Sequence, residues 1–270
     1  MPDILDKIFC DKKIELDTVK RKLALPDVKM RIANNNYEIR DIRMLLESTT
    51  RSFIFAEIKP RTPFKGELLK NFDPVDLAKT YADNGASALS ILTESSYFGG
   101  SLSTLEKARV CVDIPLLRKD FIFDEYQVYE ARAFGADLFL LIATWLDKNQ
   151  LADLLALGKE LGLSALVETH NENDMEKAFE AGASILGINN RDLTNGKTDL
   201  NISRRLIPIA LQVPENLLVC ESGIHSRSQI EEFENLGAHA FLIGESLMIA
   251  ENIGDKLREF TGDRKISTTN

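Results

Sequence analysis

Phe53-Ile54-Phe55-Ala56-Glu57-Ile58-Lys59, Pro115-Leu116-Leu117-Arg118-Lys119, Leu166-Val167-Glu168, Leu186-Gly187-Ile188-Asn189 and Leu218-Val219-Cys220-Glu221-Ser222 share one layout: an apolar run that meets charged or amide side chains at its C-terminal end. A sixth run, Phe241-Leu242-Ile243-Gly244, ends in glycine. Buried parallel strands read as near-continuous hydrophobic runs, and a closed barrel of eight collects its functional groups at the C-terminal rim. Apolar starts near Phe53, Ala88, Ile114, Asp137, Ala165, Ile185, Leu217 and Ala240 bring the strand count to eight. The pattern predicts an α/β chain, a (β/α)8 barrel with a pocket of Lys, Glu and Asn.

The segments between the runs carry helix starts. Ser103 with Glu106, Asp124 with Gln127, Asp147 with Gln150 and Ser226 with Gln229 have capping-box spacing, and Asp73-Pro74 offers a cap followed by proline at the first helical position. Strand and helix alternating at this interval imply right-handed βαβ units. Gly85-Ala86, Gly135-Ala136, Gly182-Ala183 and Gly237-Ala238 each end a helix before a strand, and successive glycines lie 50, 47 and 55 residues apart. Two βα units fit each interval, dividing the chain into quarters. A doubly wound open sheet is the competing arrangement, since it tolerates the same punctuation.

A chain of 270 residues with 44% hydrophobic content suits one barrel domain spanning 1–270, and no Pro/Gly/Ser-rich linker divides it. Residues 1–46 fall outside the eightfold count. Leu5, Ile8 and Phe9, then Leu16, Val19 and Leu23, have helical spacing, which predicts a helical extension that either simply caps the barrel or covers its catalytic mouth. With 42 acidic against 33 basic residues the net charge is −9, which disfavours nucleic-acid and membrane-surface binding. Cys10, Cys111 and Cys220 are too scattered for a disulfide framework or a zinc site, and read as reduced, buried thiols. His170, His225 and His239 are likewise dispersed and read as loop or helix-edge residues. Met1-Pro2-Asp3 opens no secretory leader, so a cytoplasmic protein is the expectation; the scattered His and Cys lead to the expectation of neither metal nor cofactor, and the lack of an obvious assembly element to that of a monomer.

Glu57 and Lys59 are two apart on one strand and face the same side, into the pocket if they sit at its rim. The bland alternative, a surface ion pair, conflicts with the apolar Phe53 to Ala56. Lys119 and Glu168 close the third and fifth strands, on opposite sides of the mouth, an arrangement suited to an acid and a base at two ends of one substrate. Asn189 closes the sixth strand; Arg191 after it pairs with a carboxylate or phosphate, or else with Asp192. Glu221 closes the seventh. Ser222-Gly223 after strand seven and Gly244-Glu245 after strand eight are glycine-bearing loops at the usual phosphate site of this fold.

These residues also resemble a known family. Ala56-Glu57-Ile58-Lys59, Tyr97-Phe98-Gly99-Gly100-Ser101, Leu117-Arg118-Lys119-Asp120-Phe121, Val167-Glu168-Thr169-His170, Gly187-Ile188-Asn189-Asn190-Arg191-Asp192, Glu221-Ser222-Gly223-Ile224 and Leu242-Ile243-Gly244-Glu245-Ser246 are similar to segments of the indole-3-glycerol phosphate synthases. The resemblance implies a barrel with an N-terminal helical cover and a cofactor-free lyase of tryptophan biosynthesis. It also implies a small, phosphorylated, anthranilate-derived substrate. It assigns Lys119 as general acid, Glu168 and Lys59 to a second proton movement, and Glu57, Asn189 and Glu221 to shaping the pocket. Ser222, Gly223, Gly244, the Glu245 backbone and Arg191 match phosphate- or substrate-contacting positions.

Two loops depart from the family pattern: Pro60 and Phe64 stand where a basic residue and a serine are usual, and Asn195-Gly196 replaces an apolar residue. A neighbouring phosphate-binding isomerase or aldolase, and a non-catalytic binding barrel, are the alternatives.

Overall fold

The computed structural model describes residues 4–35, 37–69, 72–192, 194–213 and 216–262. Eight parallel strands form a closed barrel: β1 (Phe53–Ile58), β2 (Ala88–Leu92), β3 (Leu116–Lys119), β4 (Leu138–Ile142), β5 (Ser164–Thr169), β6 (Ile185–Asn189), β7 (Leu217–Glu221) and β8 (Ala240–Ile243). Closure is direct, with Phe53 of β1 beside Ala240 of β8 on one edge and Phe55 beside Ala88 of β2 on the other. An open sheet is thereby excluded. In two-residue period, Phe53, Phe55, Leu117, Leu140, Leu166, Val219 and Leu242 share the apolar cluster inside the barrel. Ile54, Leu141, Val167, Leu186, Cys220 and Phe241 belong to a second cluster beneath the helices.

That period places the site. Two residues beyond Phe55, Leu117, Leu166, Val219 and Leu242 come Glu57, Lys119, Glu168, Glu221 and Gly244, the layer above the apolar interior at the C-terminal rim. Each Gly-Ala mark ends its helix as expected. Gly85, Gly135, Gly182 and Gly237 have φ of +96, +87, +86 and +109°, the left-handed helix stop that glycine adopts without strain. The next amide then donates back into the last turn, as Ala136 does to the Ala131 carbonyl at 3.0 Å.

Asp73, Asp124, Asp147 and Ser226 are N-caps, of the helices Pro74–Asp83, Glu125–Ala133, Lys148–Glu160 and Arg227–Leu236. Ser103 is not. The cap of helix Leu102–Cys111 is Ser101, which accepts from the Thr104 amide at 3.1 Å, while Glu106 turns outward to Arg31. Ser101 itself is extended, with φ of −160°, and so takes the cap, leaving Ser103 inside the first turn.

Three helices precede β1. α1 (Ile4–Lys22) passes over the C-terminal rim, where Ile4 and Ile8 face the cavity. α2 (Leu25–Asn35) runs down the flank and buries Val28 with Tyr126 and Ala133. α3 (Ile42–Ser48) lies at the opposite end, where Ile42 joins the cluster that holds Ile185 and Leu217 at their strand starts. Just before α3, Arg40 binds the Ile114 carbonyl at 2.8 Å and its amide meets Asp137 at 2.9 Å, both also at strand starts. The segment therefore wraps the barrel from rim to base. Cys220 is buried, with burial pushing its thiol up to about 12, but Cys10 is exposed and Cys111 partly so, unlike the buried thiols expected.

Candidate active site

A cavity of about 720 Å³ opens at the C-terminal rim. Lys119, Glu168, Lys59, Glu57, Asn189, Glu221, Ser222, Gly223, Gly244, Glu245 and Arg191 all line it. Its centre is Lys119, whose Nζ lies 2.9 Å from Glu168 Oε2 and 2.8 Å from Glu221 Oε2. Lys119 and Glu168 thus touch and do not stand on opposite sides of the mouth as their strand numbers suggested. Only β4 separates β3 from β5, and two long side chains leaning toward the barrel axis easily span one strand. Lys59, one residue past β1, reaches back to Glu57, so the two share a face as their spacing predicted.

Both glutamates beside Lys119 are buried, and their proton affinities diverge. Burial alone would lower the Lys119 ammonium, but Glu168, Glu221 and Glu57 outweigh it and hold the group above the ordinary lysine value. Burial would raise Glu168; Lys119 and then His170, with hydrogen bonds from Lys119 and Asn189, hold it well below the carboxylate range. Glu221 is pushed up to about 7 by burial and by the negative Glu168, against the pull of Lys119. One ammonium, one firmly ionised carboxylate and one that takes up a proton near neutrality form a set suited to proton transfer.

Two inward glycines make room for this set. A Cβ on Gly187 of β6 would lie 2.0 Å from Glu221 Oε1, and one on Gly244 would lie 2.2 Å from Glu57 Oε2. Neither glycine has positive φ, so the demand is for space and not for backbone freedom. Any side chain at these positions would force the facing carboxylate to shift.

On the other side of the cavity Ser222 and Gly223 have φ of +66 and +78°, and Ser222 is the one non-glycine with positive φ among the described residues. Held strain of this kind concentrates at ligand loops. Arg191 donates to the Gly196 carbonyl at 2.6 Å and to Glu245 at 3.2 Å, and Lys65 also meets Glu245. The alternative pairing of Arg191 with Asp192 is not made: Asp192 accepts from Thr194 and Asn195 instead. Phe64 packs on Gly196, where a Cβ would come within 2.6 Å of the ring.

Two features escaped the sequence reading. His170 lies in the loop after β5, as read, but it brings Nε2 to 3.4 Å from Glu168 Oε1. It lies two residues beyond Glu168, the same parity that picked out Glu57 and Lys59, so the signal was available. Lys12 of α1 enters the barrel top and meets the buried Asp120 at 3.0 Å, beside Lys119. No short-range pattern announces that contact. Among the described residues no three His, Cys, Asp or Glu side chains are grouped to hold a metal ion, and no helix is long and apolar enough to cross a membrane.

Solved structures of 3-hexulose-6-phosphate synthase (TM-score 0.63, 15% identity, covering 78% of this chain and 98% of that one) and of thiamine phosphate pyrophosphorylase from Pyrococcus furiosus (TM-score 0.60, 16% identity, 82% and 96%) share the barrel architecture alone. Sequence relatives are far nearer. The indole-3-glycerol phosphate synthase of Roseiflexus sp. (strain RS-1) is 45% identical over 97% of this chain and 99% of its own length. That of Dehalococcoides mccartyi (strain CBDB1) is 44% identical over 95% and 99%, and one from Campylobacter jejuni subsp. jejuni serotype O:23/36 (strain 81-176) is 44% identical over 94% and 98%. The model of the family described as indole-3-glycerol phosphate synthase matches residues 5–260, from α1 to the last helix, Ile253–Thr261. With the rim cluster, the glycine loops and near-complete coverage in agreement, the chain belongs to the indole-3-glycerol phosphate synthase family.

Proposed function

We propose that this chain converts 1-(o-carboxyphenylamino)-1-deoxyribulose 5-phosphate to indole-3-glycerol phosphate, with Lys119 as the general acid of ring closure. The observation that carries the reading is the Lys119 ammonium held between Glu168 and Glu221 in the cavity wall. As the ring carbon bearing the carboxylate attacks the ketone, negative charge grows on the ketone oxygen, and Lys119 supplies the proton there. The bond to the carboxylate then breaks, carbon dioxide leaves, and its electron pair restores the aromatic ring. The nitrogen lone pair next expels the new hydroxyl as water, a step that needs a second proton. Loss of a proton from the carbon between nitrogen and the ring-closure carbon completes the indole.

Glu168 accepts that last proton and Lys59 delivers the one that leaves with water. Two protons are donated and one is returned, so each turnover takes up one proton, matching the conversion of a carboxylate into neutral carbon dioxide. The substrate's own nitrogen acts as the electron reservoir, a role that other decarboxylases give to a cofactor. Glu57, Asn189 and Glu221 set the charge and shape of the pocket. The substrate phosphate is met by Ser222, Gly223, Gly244 and the Glu245 backbone, with Arg191 alongside. α1 covers the mouth and limits water entry. In this reading the chain acts as a cytoplasmic monomer on a small molecule, and its net charge of −9 disfavours polyanionic partners.

Indole fluorescence on mixing purified protein with the carboxyphenylamino-deoxyribulose phosphate tests the proposal. Turnover unchanged after chelator treatment is expected. Absence of indole formation, or dependence on added metal, would overturn it.

A further inference from the structure

His170 sits one residue past β5, and its side chain turns to the same side as that of Glu168. Its Nε2 is buried 3.4 Å from Glu168 Oε1, within ion-pair range but without a hydrogen bond, while Lys119 holds the other oxygen, Oε2, at 2.9 Å. The far edge of the ring is fixed as well. Nδ1 lies 3.3 Å from Thr144 Oγ1 and 3.7 Å from Asp174 Oδ2. That Asp174 oxygen also accepts from the His170 amide at 3.1 Å, Thr144 Oγ1 at 2.6 Å and Asn171 Nδ2 at 3.2 Å. His170 is not part of the cavity lining, so it stands behind Glu168 and not against substrate.

We propose that His170, backed by Asp174, is a positioning residue that keeps Glu168 anionic and aimed while Lys119 is without its proton. This rests on the reading of Lys119 as acid and Glu168 as base given above. In that sequence Lys119 surrenders its charge early, and the ionised Glu168 loses its nearest cation just before it is needed as a base. A second cation on the opposite oxygen removes that conflict.

The groups facing the pair are few. Glu168 is faced by Lys119 and His170, with Asn189 as hydrogen-bond donor and Glu221 beside Lys119; His170 is faced by Asp174, Glu168 and Glu221. Burial lowers the imidazole pKa, but the Asp174 hydrogen bond and the Glu168 and Asp174 charges overcome this and raise it above its usual value.

The test compares wild type, His170→Gln, His170→Ala and Glu168→Gln by kcat and KM across pH, with thermal melts and product titration reporting the fold. His170→Gln keeps a donor and loses the charge. Its kcat should fall by about tenfold with KM within about twofold, and the acid limb of kcat should move up by about one pH unit as Glu168 loses a cation. His170→Ala should lose more, since the ring that fills the space behind Glu168 goes too. Wild-type kcat and pH profile in His170→Gln would overturn the proposal, and so would a uniform loss with no displacement of the acid limb. Full activity in Glu168→Gln would instead overturn the parent reading of Glu168 as base.

Discussion

The wall and the roof of the cavity are built differently. Glu57, Lys119, Glu168, Asn189 and Glu221 stand on strands, each fixed by ladder hydrogen bonds to neighbours on both sides and by the apolar layer below. The roof consists of the loop after β1, with its short hairpin Arg61–Thr62 and Gly66–Glu67, and of Asp192 with Thr194 to Thr198. It is held by Lys65 and Arg191 on Glu245 and by Phe64, which is 44% exposed, against Gly196. Buried, mutually charged groups respond steeply to any change, whereas partly exposed ion pairs and a half-exposed ring are worth a fraction of a kcal/mol to about one. The wall should therefore govern kcat and the roof KM.

The harshest break of that division is Lys119→Met, which keeps the stem and removes the charge. Single-turnover indole formation should fall by about 10²- to 10⁴-fold, roughly 3 to 5 kcal/mol of barrier, while product still binds through the glycine loops. A wild-type single-turnover rate would move the acid role to Lys59. A subtler break replaces no titratable group. Gly187→Ala puts a methyl 2.0 Å from Glu221 Oε1, so the Glu221 carboxylate must turn, which disturbs its grip on Lys119 through Oε2. Overpacking of this kind costs about 1 to 3 kcal/mol in stability. We expect kcat to fall by about tenfold or more with KM little changed; a KM effect alone would show that Glu221 belongs to binding.

α1 belongs to the roof by position yet is fastened like the wall, through Lys12 on Asp120. Burial would raise Asp120, but Lys12, Arg118 and Thr93 hold it down to about 2. A carboxylate depressed in the folded protein stabilises it above the unfolded value of about 3.9, and that contribution fades as pH falls through the folded value. Lys12→Met should therefore lower stability by about 2 kcal/mol at neutral pH and by less near pH 3, and move acid unfolding to higher pH. Equal losses in Tm at both pH values would trace the effect to packing instead.

What the sequence disclosed follows the same line between wall and roof. Lys119, Glu168 and Glu221 were legible because each ends an apolar run, and the two-residue period then fixes the side it faces. Gly187 was not, because its reason is a carboxylate on the next strand, and only the register of β6 against β7 brings the two together. The Lys119 to Glu168 contact was misjudged because strand order counts positions around the ring and ignores side-chain reach. Asp174 and Thr144, which anchor His170, come from the elements on either side of β5, and Lys12 from a helix that only tertiary packing sets over the rim. Local pattern carries no information on such meetings.

The smallest expected effect concerns the two loops that depart from the family pattern, since the departures meet: the ring of Phe64 rests where a Cβ on residue 196 would be. Gly196 also has φ of +74°, so Gly196→Ala introduces both backbone strain and a clash at 2.6 Å with Phe64. Phe64→Ser removes the ring, and with it the obstruction. If the contact holds the roof closed, each single variant should raise KM by a few-fold, about 0.5 to 1 kcal/mol, with kcat near wild type. The double variant should be less impaired than the two single effects combined, because only the strain at residue 196 remains once the ring is gone. Strict additivity in KM would show that Phe64 and Gly196 act separately. A large fall in kcat from Phe64→Ser would place that ring near the reacting atoms and erase the distinction between roof and wall.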